Sequence, residues 1–218
     1  MTKFRKLFRL IKFLPQIIAG RCSRYYHGLR HRLLGLDFAV DYERDFELSS
    51  GHGYEPTPER CFRATLRHIP IPVSEISLLD IGCGKGSIIV YARKAGIVNL
   101  GGVELSQKFM SICKNNIRLL GYNNVELIQQ DATTLGDALD KYNVIYMFNP
   151  FPAPVMQAFL SRVIESLERC PRKAYIVYDN PIEAYVFDEM RFAVQSSFIV
   201  PMYHRDRAIN IYSWDLNS

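Results

Sequence analysis

A chain of 218 residues, 48% hydrophobic and 22% charged, is long enough for one α/β core that hides roughly 70% of its unfolded surface, and it does not require a second. That balance excludes a disordered chain except at the ends, and no uninterrupted run of 18 apolar residues offers a membrane span. The net charge of +5 is lopsided: residues 1–36 hold nine Lys or Arg and no acid, which leaves 18 basic against 22 acidic side chains in the rest, so any anionic partner is expected at the arm and not at the body.

In the arm, Phe4, Leu7, Phe8, Ile11 and Leu14 share an arc about 120° wide at helical spacing, with Arg5, Lys6, Arg9 and Lys12 opposite. Residues 3–14 therefore suit an anionic membrane surface. Docking of the apolar stripe onto the core, a disordered arm, nucleic acid and an organelle transit segment are the competing readings. Lys12 and Pro15 interrupt the apolar run, against a signal peptide. Residues 20–35 mix aromatic and basic groups, as a solvated linker or a phosphate-facing stretch would. Five scattered cysteines with no C-x-x-C pair exclude a disulfide framework or zinc cluster and point to a reducing compartment. The expected location is cytoplasmic, peripheral at the membrane if the arm lies on one.

Residues 37–72 read as a cap ahead of the core at 73–218. Within them GHGYEPTPERCF leads into a helix over 58–68, with Thr57 placed to cap it, Tyr54 just upstream, and His52 as a loop base or a plain loop residue. From residue 73 short β-rich runs alternate with helical patterns, which predicts a doubly wound, mostly parallel sheet. The strands fall at 77–81, 99–104, 124–129, 143–148 and 173–178. Helices are expected at 86–95, 106–120, weakly near 134–140, at 153–169 and at 181–190. The ending, SFIVPMYH and AINIYSWDL around a charged RDR turn, leaves no room for a crossover helix and predicts an antiparallel hairpin at or near the sheet edge.

The first strand runs into LLDIGCGKG, residues 78–86. Glycines at Gly82, Gly84 and Gly86 let backbone approach a ligand beyond the carboxyl end of a strand. The spacing fits neither the dinucleotide fingerprint nor the phosphate loop. Asp80, ahead of the turn, would repel pyrophosphate and attract a ligand bearing ammonium or sulfonium charge.

DIGCGKG resembles the D-x-G-x-G-x-G signature of class I S-adenosyl-L-methionine-dependent methyltransferases, and the hairpin ending resembles the close of their seven-stranded sheet. The resemblance implies cofactor contacts from the loop and from two further positions. Glu104 ends the second strand, 22 residues after Gly82, where the family binds the ribose hydroxyls. Asp131, in QQDAT, stands where the family reads the adenine amino group, with Ala132 beside the ring. Each acid also has a local reading, Glu104 as a cap for the helix near Ser106 and Asp131 as a turn or cap residue. Tyr54 and Thr57 lie in a Tyr-x-Pro-Thr segment similar to that of small bacterial methyltransferases with an F-N-P-F loop, which implies a cap over the cofactor. Cys83 reads as loop filling and Lys85 as solvated.

After strand four, FNPFPAP (148–154) resembles the Asn/Asp-Pro-Pro-aromatic motif of amino-methylating members, in which Asn and a proline carbonyl accept from the target amine. Here Asn149 and Pro150 are kept while Phe151 and Pro152 are reversed, and a proline-rich strand-to-helix loop explains the stretch equally. Asn149 and Pro150 are expected at the reaction centre, Asn149 also as a cofactor contact, and Asp179, after strand five beside Tyr178 and Asn180, as a proton acceptor or cation-binding group. The implied activity is methyl transfer to an N or O nucleophile without a metal. The alternative is a degenerate methyltransferase fold serving as a cofactor-binding or scaffold module. A small molecule, a protein and a nucleic acid all stay open as acceptor.

Overall fold

The computed structural model describes residues 34–40, 54–203 and 205–214. The expected arm helix at 3–14 and His52 lie outside them. Seven strands, β1 (Ser77–Ile81), β2 (Asn99–Glu104), β3 (Val125–Gln129), β4 (Val144–Phe148), β5 (Tyr175–Asp179), β6 (Ala193–Val200) and β7 (Arg207–Ser213), form one sheet in the order β3-β2-β1-β4-β5-β7-β6. Strands β1 to β5 pair in parallel, and β7 inserts antiparallel between β5 and β6.

The inner strands are apolar on both faces because helices cover both. Successive residues alternate between two cores. Leu78, Val144, Tyr146 and Val177 face one core with α1 (Glu59–Leu66), α2 (Ser87–Lys94) and α3 (Gln107–Leu119). Leu79, Ile81, Ile145, Met147 and Ile176 face the other with α4 (Ala153–Arg169) and α5 (Ala184–Glu189). No helix among the described residues is long and apolar enough to cross a membrane.

Four expectations shift in detail. The weak helix near 134–140 is a pair of 3-10 turns, Ala132–Thr134 and Asp137–Lys141, separated by Gly136. The helix at 181–190 shrinks to α5, because Asn180 takes a left-handed φ of 56° and Ile182 bonds back to it. Strand β6 begins at Ala193, ahead of the expected hairpin start, and carries a bulge between Val194 and Ser196. Pro58 stands at the N-cap of α1 with no side-chain cap bond, so Thr57 does not cap it.

A strap of residues 34–40 crosses the edge of the first core. Asn116 of α3, fully buried, accepts from Asp37 N at 2.9 Å and donates to Asp37 O at 2.7 Å and Lys85 O at 3.0 Å. Leu36 is buried, and Lys85 Nζ lies 2.9 Å from Asp37 Oδ2. Lys85 is thus not solvated as expected: it is 3% exposed and held by an acid from the strap. A buried lysine needs such a partner, since an unpaired ammonium there would be costly.

Candidate active site

A cavity of about 430 Å³ opens beyond the carboxyl ends of β1, β2 and β4, within the size range of small-molecule sites and at the place an open α/β sheet binds ligands. The loop after β1 forms its floor. Gly82 N and Cys83 N both donate to Val103 O at 2.9 Å, which turns the loop back over β2. Glu104 Oε2 accepts from Gly84 N at 2.9 Å and Oε1 from Ser106 N at 2.8 Å. One carboxylate therefore stitches two loops while it lines the cavity, so the local and the ligand readings of Glu104 coexist.

The same double use holds at Asp131. Its Oδ1 accepts from Thr133 N and Thr133 Oγ1, both at 2.8 Å, as the cap of the first 3-10 turn, while Asp131 and buried Ala132 line the cavity. Asp80 differs. It is 4% exposed and lines the cavity, yet its carboxylate takes no hydrogen bond from any described residue. Burial, then the charge of Glu104, holds its pKa well above the usual carboxylate range. Such a group calls for a proton or a cationic ligand.

Tyr54 forms the roof with Phe109, ring centroids 5.8 Å apart. Its hydroxyl is buried beside Ser87, and burial, against the pull of Ser87, raises its pKa far above that of free tyrosine. Thr57 lines the cavity beside it. A Cβ on Gly84, whose φ is 53°, would lie 2.4 Å from a Tyr54 ring carbon. Gly84→Ala is expected to lower stability by about 1–3 kcal/mol through overpacking and strain. In chemical denaturation, adding Tyr54→Ala to Gly84→Ala should lose less than the sum of the single variants; strict additivity would show that the two do not touch.

Gly86 does not line the cavity. It starts α2 at φ 87°, and a Cβ there would meet Cys113 Sγ of α3 at 2.7 Å, so the third glycine serves helix packing. Cys83 lines the floor with its thiol pKa raised, first by a hydrogen bond with Cys113 and then by burial.

At the tip of β4, Asn149 adopts a left-handed φ of 38° and donates its backbone N–H to Asp179 O at 3.1 Å. Its Oδ1 accepts from the Tyr178 hydroxyl at 3.0 Å. Pro150 packs 3.5 Å from the Cβ position of Gly82, and both Asn149 and Pro150 line the cavity. Asp179 does not. Strand β5 runs one residue further than the spacing predicts, which carries Asp179 into the sheet opposite Ile209. Its fully buried carboxylate accepts from the Tyr146 hydroxyl at 2.8 Å and lies 3.4 Å from Arg207. Burial raises its pKa, against the pull of Arg207 and Tyr146. Asp179 thus lies outside the cavity lining, with Arg207 and Tyr146 as its partners.

Arg207, whose guanidinium sits 4.3 Å from the Phe148 ring centroid and 3.7 Å from Glu55, and Tyr146 carry no expectation from the sequence, whereas Tyr178, expected with Asn180 in the loop after strand five beside the pocket, lies inside β5. Tyrosines inside fully apolar strands were the available signal, because each buried hydroxyl requires a partner.

Residues 78–170 match a family model described as "Methyltransferase domain". The chain is similar to a ribosomal protein L11 methyltransferase of Lactobacillus gasseri, 33% identical over 136 residues that cover 56% of this chain and 41% of the relative. It is also similar to one of Dictyoglomus thermophilum, 28% identical over 98 residues that cover 45% and 31%. The chain thus spans less than half the length of these curated relatives. Among solved structures, magnesium protoporphyrin IX methyltransferase from Synechocystis with bound SAM superposes with a TM-score of 0.56 at 17% identity, covering 72% of this chain and 79% of that one. The Bacillus subtilis M1A22 tRNA methyltransferase does so with a TM-score of 0.57 at 12% identity, covering 73% and 67%. At such identities the likeness is one of fold.

Proposed function

Because the chain carries a methyltransferase domain on the seven-stranded fold of class I S-adenosylmethionine-dependent methyltransferases, we propose that it transfers a methyl group from S-adenosylmethionine to an N or O nucleophile. The observation that carries this reading is that Asp80, Glu104 and Asp131, at or just past the ends of three adjacent parallel strands, line one cavity floored by a glycine loop. The buried, unpartnered carboxylate of Asp80 suits the positive charge of the cofactor. Glu104 suits its ribose hydroxyls, and Asp131 with Ala132 its adenine. Tyr54 and Thr57 close the roof and exclude water.

When bound, the cofactor supplies an electrophilic methyl on a positively charged sulfur that leaves readily. What remains for the protein is to hold an acceptor in line, which is the task of Asn149 and Pro150; positioning of this kind accounts for most of such an acceleration.

Calorimetric titration with S-adenosylmethionine and S-adenosylhomocysteine tests the reading, and saturable binding of both is expected. Since a cation is bound best by ionised Asp80, affinity should rise with pH, up to tenfold per unit, until the raised pKa of the free carboxyl is passed, with a proton released on binding. Asp80→Asn should remove that dependence. Absence of saturable heat would defeat the proposal. Binding without labelled-methyl transfer to protein, RNA or lipid extracts would favour the scaffold alternative.

A further inference from the structure

Tyr178 sits fully buried between two partners. The Glu183 N–H points at its hydroxyl oxygen at 3.1 Å, and its proton is left for Asn149 at 3.0 Å. A buried hydroxyl that already accepts from a backbone N–H keeps its own proton satisfied only if the amide turns its oxygen toward it. Asn149 is therefore oriented: Oδ1 is engaged by Tyr178, and Nδ2 has no partner among the described residues on a side chain that lines the cavity.

That orientation selects among acceptors. A neutral amine has one lone pair, which it must aim at the methyl carbon, so it asks the site for acceptors of its N–H groups. A carboxylate has lone pairs to spare and no proton, so it asks for a donor. An amine also arrives protonated at neutral pH and must shed a proton first, whereas a carboxylate arrives ready. Around the β4 tip the Tyr146 proton is given to Asp179, Asp179 does not line the cavity, and Glu55, which does, lies 3.7 Å from the Arg207 guanidinium. Asn180 lines the cavity, and two and five residues further along the chain Ile182 and Tyr185 expose apolar surface, at 61% and 51%.

Resting on the methyltransferase reading above, we propose that the methyl acceptor is an apolar carboxylic acid, held by the Nδ2 group of Asn149, which Tyr178 orients. One carboxylate oxygen forms the new C–O bond, the electrons of the broken C–S bond return to sulfur, and a neutral ester and a neutral thioether result. No proton moves and no base is needed. Cancelling opposite charges is also favoured in a dry cavity.

The test offers tritiated-methyl S-adenosylmethionine with decanoate and benzoate against decylamine and benzylamine. Base-labile methyl ester is expected with the acids, and calorimetry of decanoate on protein loaded with S-adenosylhomocysteine is expected to show saturable heat. Asn149→Asp, which puts a second negative oxygen before the acid, should cut ester formation on the order of 100-fold and abolish the decanoate heat while S-adenosylhomocysteine affinity holds. Tyr178→Phe frees the amide to turn and should shift the rate ratio from decanoate toward decylamine. Faster transfer to the amines, transfer to neither set by protein that binds the cofactor, or undiminished ester formation by Asn149→Asp would overturn the proposal. Failure to bind S-adenosylhomocysteine at all would instead defeat the reading on which it rests.

Discussion

Asp80→Asn is expected to make the ligand-free protein more stable and the cofactor complex far weaker. A carboxyl whose pKa is raised by folding holds its proton more tightly in the folded state than in the unfolded one. It therefore subtracts stability as pH climbs from the ordinary carboxylate range to the raised value, and by a constant amount above that. Removing the charge should restore about 1 kcal/mol at pH 8, seen as a melting temperature about 2–4 °C higher. Below pH 4 the gain should vanish. The same substitution takes away a buried charge on the floor that no described residue hydrogen-bonds. Losing one member of a buried charge pair costs about 2–5 kcal/mol, so affinity for S-adenosylmethionine should fall roughly 30- to 3,000-fold. An Asp80→Asn protein that melts lower, or binds as well, would show that Asp80 is a structural acid.

Glu104→Ala should give the second large effect, and its double role permits a finer check. The variant leaves the N–H groups of Gly84 and Ser106 without their acceptor, which loosens the loop for every ligand. It also removes the proposed partner of the ribose hydroxyls, where a hydrogen bond to a charged group contributes about 1.5–3 kcal/mol, or roughly 10- to 150-fold. Calorimetry with adenosine and 2′-deoxyadenosine, alongside S-adenosylhomocysteine, separates the two. The native protein should prefer adenosine by about tenfold or more, and Glu104→Ala should bind both alike. If the preference survives in the variant, Glu104 only ties the loops together.

The sheet was legible because β1, β4 and β5 are short, continuous apolar runs that only a strand covered on both faces explains. The cavity lining was legible because strand ends collect ligand-facing residues, and Asp80, Glu104 and Asp131 stand at or just past the ends of strands the pattern marks clearly. What stayed hidden depends on partners distant in sequence. Asp179 reads as a loop acid until β7 arrives from the end of the chain, lengthens β5 and brings Arg207 beside it. Lys85 reads as a surface lysine until Asp37, 48 residues earlier, folds over it. Gly86 follows the glycine pattern, but its close neighbour is Cys113 on another helix. The local and the ligand readings of Glu104 were each visible singly; only the geometry shows the one carboxylate that bonds both loops also lining the cavity.

The strap at residues 34–40 has a mechanical consequence. Asn116 grips Asp37 by two bonds and the backbone of Lys85 by a third, so the chain upstream is moored within one residue of Gly84 on the cavity floor. A pull on residues 34–40 would be felt first at the loop on the cavity floor. Shortening the protein from its start should therefore stop before Leu34, since a cut at Asp37 would pull out the anchor along with the rope.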